Sequence, residues 1–158
     1  MIYLLILVLK ISKMPTVMNT PKVEKVLKKY EKKYDNSISL FMSSKKGLEP
    51  QAAFDLIAVT LLTGPMIESI LYVTMKTLTN YKNRKTHLNA AISEKILSIF
   101  ALYEKGISIF GSVEEFNKWM STPAYGLGGQ IPNDLLDTMT GVNLISEELT
   151  RVEYGDLA

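Results

Sequence analysis

The segment that decides the fold is residues 116–155, FNKWMSTPAYGLGGQIPNDLLDTMTGVNLISEELTRVEYG. Its apolar residues follow helical spacing in three short runs, and turn residues separate the runs. Just before it, Ser112 and Glu115 have the spacing of a capping box, which predicts the start of the first helix. Thr122 and Pro123 end that helix. This part of the chain is therefore predicted to be helical.

Residues 126–132 contain three glycines and a proline, which predicts a loop. We expect Pro132 to begin a second helix that stops before Gly141. The third helix is predicted to end at Gly155 and to have an acidic outer face. Its apolar stripe consists of Val142, Ile145, Leu149 and Val152.

Several of these residues occur in the same order in a known family. They are Trp119, Thr122-Pro123, Leu127-Gly128-Gly129, Pro132, Asp134-Leu135-Leu136, Thr138, Gly141, Leu149, Arg151-Val152 and Tyr154-Gly155. The pattern resembles the toxin-binding domain of the Xre/MbcA/ParS antitoxins and covers the last third of the chain. The resemblance implies an antitoxin that neutralises a RES-domain toxin, an NAD-degrading enzyme, and that represses its own operon through an N-terminal helix-turn-helix.

The resemblance also implies which residues meet the toxin. They lie in the glycine-rich loop and the C-terminal tail: Tyr125, Leu127, Gly128, Arg151, Tyr154, Gly155, Asp156, Leu157 and Ala158. The tail is expected to obstruct the NAD entrance of the toxin. A second set is expected to build the scaffold instead: Trp119, Leu135, Leu136, Ile145 and Leu149.

The charge of the chain is divided between its two parts. Residues 1–110 contain 16 Lys and Arg against 8 Asp and Glu, whereas residues 111–158 contain 2 against 8. The basic part predicts a polyanionic partner, and the alternative is a lysine-rich face that is only solvated. The acidic part would complement a basic active-site entrance.

At 158 residues and 47% hydrophobic content, the chain is long enough for one ordinary domain or two small ones. It has no cysteine, which excludes disulfides and thiolate metal sites and suits a reducing compartment. We therefore predict a cytoplasmic protein. Its predicted fold is all-α, with an Xre-like helix-turn-helix bundle followed by a small helical toxin-binding domain.

Residues 1–9, MIYLLILVL, form an apolar run shorter than the about 20 residues that cross a bilayer. Lys10 and Lys13 follow the run where a signal peptide has a small-residue cleavage site. We interpret the run as an over-extended start, with Met14 or Met18 as the first residue. The alternative is a helix that anchors to a partner or a membrane surface. Residues 1–20 are thus an apolar or disordered extension, and the predicted domains are 21–110 and 111–158.

Residues 21–34 are predicted to form an amphipathic helix with a cationic outer face. A breaker follows at residues 35–37, then an apolar patch at 38–42 that is too short to classify and a loop at 43–47. The next helix is predicted at residues 51–62. Its inward side chains are expected to be Phe54, Ile57, Ala58 and Leu61.

A short helix from Pro65 to Tyr72, a tight turn and a helix capped by Thr74 have the outline of a helix-turn-helix. Asn side chains pair with adenine, Arg side chains with guanine, and lysines neutralise phosphates. The candidate DNA-binding residues are Lys76, Thr77, Asn80, Lys82, Asn83, Arg84 and Lys85. The alternative is an ordinary solvated helix face.

Residues 91–110 follow helical spacing over several turns and are apolar around much of the helix. We expect this helix to join the two parts of the chain. Its wide apolar surface is explained either by a homodimer, which the resemblance also suggests, or by a core within one chain.

No pattern in the chain has the spacing of catalytic, metal-binding or cofactor-binding residues. His87 is the only histidine, so it lacks partners for a metal site and is expected at the surface. Asp134 with Asp137 and Glu147 with Glu148 are interpreted as helix-start charges and as a solvated face. The chain is thus predicted not to be an enzyme. The alternative function is a stand-alone helix-turn-helix regulator that has no toxin partner.

Overall fold

The computed structural model describes residues 21–155, and every regular element within them is a helix. The all-α prediction is therefore confirmed for this range. The predicted extension at residues 1–20 and the predicted toxin-binding residues Asp156, Leu157 and Ala158 lie outside the described residues.

The helices follow one another with short connections. In chain order they are α1 (Pro21–Tyr30), a 3-10 turn (Glu31–Lys33), α2 (Ser37–Lys46), α3 (Gln51–Thr60), α4 (Gly64–Leu71), α5 (Met75–Asn83), α6 (Ala90–Phe110), α7 (Val113–Met120), two 3-10 turns (Tyr125–Leu127 and Pro132–Leu135) and α8 (Met139–Glu153).

Short polar residues open five of these helices by accepting a backbone N–H bond in the first turn. They are Asn36, Thr74, Asn89, Ser112 and Thr138. Such a cap satisfies a backbone donor that has no partner inside the helix, and is worth about 1 kcal/mol. The helix starts are thus set by local chemistry.

Helix α6 lies at the centre of the molecule. Ile96, Leu97, Phe100 and Tyr103 are fully buried, and α2, α3, α7 and α8 all pack against this helix. It joins the N-terminal and C-terminal helices, as predicted. The same chain covers most of its apolar circumference, which is what the core-helix interpretation requires.

Aromatic rings pack along α6 in two groups. Tyr30 stacks on Phe100 with ring centroids 4.7 Å apart. Farther along the helix, the rings of Tyr103 and Phe116 meet edge to face at 5.0 Å. Trp119 stacks on Phe116 at 5.9 Å, which agrees with its predicted role in the scaffold. These contacts fasten α1 and α7 to the central helix.

The region between α1 and α3 differs from the prediction. The unclassified patch and the predicted loop together form α2, which Asn36 caps and Gly47 ends at φ 81°. The supposed breaker is therefore the start signal of a helix. A glycine suits position 47 because a positive φ is unfavourable for other residues.

The predicted inner face of α3 is wrong. Ala52, Ala53, Leu56 and Val59 are fully buried, while Phe54 and Ile57 are only partly buried. Leu61 is 53% exposed because it ends the helix in a left-handed conformation. The small residues face inward because α3 packs against α1, α6 and α7, where alanine permits close approach.

The predicted helix from Pro132 to Gly141 is also wrong. Pro132–Leu135 is one 3-10 turn, and Thr138 caps a new helix in which Gly141 lies in the first turn. A β-carbon at Gly141 would overlap the carbonyl oxygen of Leu135. The glycine permits a close backbone contact and does not stop a helix.

Candidate functional site

The predicted toxin-binding residues within the described range lie on one loop and on the end of α8. Tyr125 is 87% exposed at the start of the loop, and Tyr154 is 78% exposed at the end of α8. The loop contacts α8, and Arg151 Nη2 donates to the carbonyl oxygen of Gly126 at 3.4 Å. We call this region, residues 124–131 and 148–155, the loop–α8 surface.

The loop has a defined shape that its own backbone maintains. The amide of Ala124 donates to Gln130 at 3.0 Å, and the amide of Gly129 donates to Ala124 at 3.0 Å. Gly128 and Gly129 adopt φ of 66° and 79°. These left-handed conformations favour glycine, so two of the three loop glycines close the turn that presents Tyr125.

Glu148 is buried beneath this loop, with 4% of its surface exposed. The prediction that it belongs to a solvated face is wrong. Its Oε2 accepts from Nε of Arg151 at 2.6 Å, and Nη2 of the same arginine lies 2.6 Å from it. A carboxylate is buried in proteins when it is paired in this way.

The third loop glycine has a different role. A β-carbon at Gly126 would overlap the carboxylate of Glu148, so the loop backbone lies directly on the ion pair. Arg151 therefore connects Glu148 to the loop within one chain. It was predicted to meet the toxin, and in this structure its guanidinium group already has two partners from its own chain. The only sequence signal for the pair is the spacing of three residues between Glu148 and Arg151.

The predicted scaffold residues lie inside the molecule. Leu136, Ile145 and Leu149 are fully buried, and Leu135 and Trp119 pack partly buried against the core. Leu127, predicted to meet the toxin, is also partly buried against the core. Gly155 follows α8 with φ 65°, as its predicted terminating role requires.

A second polar cluster joins α4 to the segment before α8. Lys95 of α6 donates to the carbonyl oxygen of Ile70 at 2.9 Å and to that of Asp137, and its ammonium lies 4.9 Å from the ring centre of Tyr72. The Tyr72 hydroxyl donates to Asp137 at 3.3 Å. Burial lowers the pKa of Lys95, and the charge of Asp137 opposes that shift.

The sequence contains no signal for this cluster, because its hydrogen-bonded partners are 25 to 65 residues apart. It also corrects the interpretation of Asp137 as a helix-start charge. That residue precedes Thr138, the cap of α8, and uses both its side chain and its backbone to contact the N-terminal part of the molecule.

The candidate DNA-binding residues lie on α5 and on the turn after it. By helical spacing Lys76, Asn80, Asn83 and Arg84 share the face opposite the buried Leu78. Lys82 lies on another side, with its ammonium 5.2 Å from the ring centre of Phe54. The Thr77 amide is bound by the Thr74 cap, and Lys85 follows the helix at φ 55°.

Within residues 21–155, no group of three or more His, Asp or Glu side chains is arranged to hold a metal ion. His87 is exposed, as predicted. No single helix in this range is long and apolar enough to cross a membrane, although α6 and α7 together, bent by 104°, meet the length and composition criteria.

Two comparisons relate this chain to known proteins. Residues 105–155 match the family described as the antitoxin Xre/MbcA/ParS C-terminal toxin-binding domain. The protein named Antitoxin Xre from Yersinia enterocolitica is 33% identical over 76 residues, which cover 46% of this chain and 51% of that protein. The chain thus spans about half the length of this curated relative. Residues 105–155, which contain α7, the loop–α8 surface and α8, are thus similar to the toxin-binding domain of the Xre/MbcA/ParS antitoxins.

Proposed function

We propose that this chain is an antitoxin that binds and neutralises a RES-domain, NAD-degrading toxin through its loop–α8 surface. The observation that carries the proposal is the exposure of Tyr125 and Tyr154 on the domain that matches a toxin-binding family. The RES class of the partner rests on the resemblance of the sequence. Both tyrosines are mostly exposed, so they contribute little buried surface to the fold of their own chain.

Exposed tyrosines suit a protein-binding surface for a physical reason. A tyrosine offers a large, rigid, partly apolar side chain with one polar group, and such residues dominate binding energy at protein interfaces. The hydrogen-bonded loop and the ion pair of the buried Glu148 with Arg151 hold the backbone of Tyr125 in place before binding. Less conformational entropy is then lost when the complex forms.

The charge of this part of the chain supports the same partner. Residues 111–158 contain 8 acidic residues against 2 basic residues. Glu114, Asp134, Glu147 and Glu153 are exposed. A negative surface accelerates association with a basic active-site entrance and disfavours acidic partners.

We further propose that α4 and α5 bind the promoter of the operon that encodes this chain, in the cytoplasm where that DNA is found. The shared face of Lys76, Asn80, Asn83 and Arg84 supports a recognition helix in a DNA groove. Lys82, on another side of α5, and Lys85, after the helix, are both exposed and suit phosphate contacts. A homodimer, which the resemblance also suggests, would read two half-sites.

The toxin proposal is tested by co-expressing the full chain with the product of the neighbouring reading frame. Tyr125→Ala and Tyr154→Ala are each expected to weaken binding by about tenfold or more, since both remove an aromatic anchor. Leu144→Ala is the control, because Leu144 is 43% exposed on the same helix and outside the loop–α8 surface. Folded variants lacking both tyrosines that still neutralise the toxin would contradict the proposal.

A salt-dependent gel shift on the upstream DNA tests the promoter role. Asn80→Ala combined with Arg84→Ala is expected to abolish sequence-specific binding, while Lys82→Ala weakens binding to all sequences by a smaller factor. Equal binding by the wild type and the double variant would remove the α5 assignment. DNA binding without any interaction with the neighbouring gene product would instead favour a stand-alone regulator.

A further inference from the structure

Helix α1 and the 3-10 turn after it carry a row of lysines on their outer side. Lys25, Lys28 and Lys32 follow one another at three and four residues, so they share one side of the helix, and all three are exposed. Val23 and Leu27 lie on the opposite side and are buried in the core. We call Lys25, Lys28 and Lys32 the α1 lysine row.

The α1 lysine row has no acidic partner in the described part of the chain. The neighbouring Lys29 pairs with Asp55 at 2.8 Å, but within residues 21–155 none of the three lysines of the row forms an ion pair. Like charges three and four residues apart repel one another and destabilise a helix. The row is therefore unfavourable for the isolated chain, and a partner with closely spaced negative charges would relieve the repulsion.

The buried side of α1 indicates which kind of polyanion this partner is. An amphipathic helix that binds a membrane inserts its apolar side between the lipids. The apolar side of α1 is already used by the fold, because Val23, Leu27 and Tyr30 are buried and Tyr30 stacks on Phe100 of α6. Only the charged side is left for a partner, which favours contact with the phosphates of a nucleic acid.

The length of the α1 lysine row fits the backbone of duplex DNA. The seven residue steps from Lys25 to Lys32 span about 11 Å. The same length of duplex carries about six phosphate charges. Each lysine of the row can therefore pair with a different phosphate while α1 keeps its shape.

The row lies close to the helix that we propose reads the promoter. Lys29 of α1 contacts Asp55 of α3, and the adjacent Phe54 has the ammonium of Lys82 of α5 at 5.2 Å from its ring centre. Axes of packed helices are about 8–10 Å apart, so α1 and α5 lie within about 20 Å of each other. One turn of DNA is longer, at about 34 Å. Both helices turn their buried sides to the core, so a duplex held by α5 extends far enough to meet the row.

We propose that the α1 lysine row binds the sugar-phosphate backbone of DNA beside the site read by α5, whatever the base sequence. This inference rests on the proposed promoter binding and extends it to a second surface outside the helix-turn-helix. Each lysine of the row neutralises a phosphate and releases its counterions, which adds affinity for every DNA sequence alike. The choice of sequence is left to α5.

Fluorescence anisotropy with the full chain measures the contribution of the row. The probes are a duplex of the upstream DNA and a duplex of the same length and composition in scrambled order, each titrated at several KCl concentrations. The combined variant Lys25→Gln, Lys28→Gln and Lys32→Gln is expected to bind both duplexes at least about tenfold more weakly at about 0.1 M salt. Its plot of log affinity against log salt is expected to be less steep by about 2–3.

Two controls separate the charge of the row from other effects. The combined variant Lys25→Arg, Lys28→Arg and Lys32→Arg keeps the charge and is expected to bind both duplexes as the wild type does. Lys118→Gln removes an exposed charge from α7 and is expected to leave affinity and salt dependence unchanged. Circular dichroism confirms that every variant keeps its helices.

The outcomes distinguish this inference from the promoter role of α5. Asn80→Ala with Arg84→Ala is expected to make the two duplexes bind equally, while the glutamine changes still weaken both. Unchanged affinity and salt dependence in the glutamine variant would overturn the inference, even if that variant lost binding to vesicles containing phosphatidylserine. A loss confined to the upstream duplex, or an equal loss in the arginine variant, would do the same. A wild type that binds neither duplex would overturn the inference together with the promoter role.

Discussion

The backbone of Gly126 lies directly on the buried carboxylate of Glu148. A β-carbon at position 126 would overlap that carboxylate, and the same carboxylate is paired with Arg151. Because Glu148 belongs to α8 and Gly126 to the loop, this contact sets the position of the loop that carries Tyr125 relative to the helix that carries Tyr154. The geometry of the loop–α8 surface therefore depends on an ion pair beneath it.

Gly126→Ala is expected to destabilise the protein by about 1–3 kcal/mol, since the added methyl group has no space. Glu148→Ala combined with Gly126→Ala is expected to cost less than the sum of the two single changes. Denaturant unfolding measures each value. Gly129→Ala is the control. A β-carbon there meets no other atom, so the variant loses stability only because alanine is unfavourable at φ 79°. Adding Glu148→Ala is expected to leave that loss of stability unchanged.

Arg151→Met leaves the buried carboxylate of Glu148 without its cation and is expected to cost about 1–3 kcal/mol. Adding Glu148→Gln removes the uncompensated charge and recovers part of that loss. Unfolding by urea gives the free energies. If Arg151 acts only by neutralising the carboxylate of Glu148, the double variant binds the toxin nearly as well as the wild type. Binding that stays weak in the double variant would instead show that the guanidinium group itself is needed, for its bond to Gly126 or for contact with the toxin.

Lys95→Met removes the donor shared by the carbonyl oxygens of Ile70 and Asp137. It is expected to destabilise the protein by about 1–2 kcal/mol and to speed amide exchange at the start of α8. Hydrogen exchange followed by mass spectrometry locates the change. Lys118→Met is the control, because its bond to Glu115 is exposed and such pairs contribute about 0.5 kcal/mol or less. Unchanged exchange at residues 137–141 would contradict the proposed connection.

Gly106→Ala tests the contact between α6 and α7. Alanine favours a helix by about 1 kcal/mol relative to glycine, but a β-carbon here would overlap the ring of Phe116. We expect a net destabilisation of about 1–3 kcal/mol by thermal or denaturant unfolding. Ser108→Ala, at an exposed position on the same helix, is expected to change stability by less than about 0.5 kcal/mol. A stabilised Gly106→Ala variant would mean that helix propensity outweighs the overlap.

Asp55 is expected to contribute to the acid sensitivity of the fold. Burial acts to raise the pKa of its carboxyl, but hydrogen bonds from Lys29, Gln51 and Tyr30 act the other way and hold the pKa below 3.8. A folded-state pKa below the unfolded value means that the stabilisation is present above pH 3.8 and is lost as the pH falls through the folded value. Asp55→Asn is therefore expected to make the free energy of unfolding depend less on pH below pH 3.8.

The hydrogen bond from Tyr30 to Asp55 also affects stability at alkaline pH. Burial, followed by the bond to Asp55, raises the pKa of Tyr30 from 10.0 to about 12. This stabilisation is complete below pH 10 and is lost as the pH rises towards 12. Tyr30→Phe is expected to remove that loss. Stability measured by urea unfolding at each pH checks both variants, and curves parallel to the wild type would contradict the two assignments.

The glycine-rich loop and the helix starts at Thr74 and Ser112 were predictable because their causes are local. Thr74 and Ser112 each accept a backbone N–H three residues ahead, and a cap of this kind is visible in any single helix. The inner face of α3 was mispredicted for the opposite reason. Periodicity indicates that one side is apolar, but Ala52 and Ala53 face the core because neighbouring helices approach closely there.

The sequence by itself determined that residues 21–155 are helical, that α6 joins the N-terminal and C-terminal helices, and that the last third of the chain resembles a known family. These properties follow from spacing, caps and turn residues, each of which acts within a few positions along the chain. Only the tertiary structure decided that Glu148 is buried beneath the loop and that Lys95 connects α4 to Asp137. Each of these depends on atoms that folding brings together from distant positions, so no local pattern in the chain contains them.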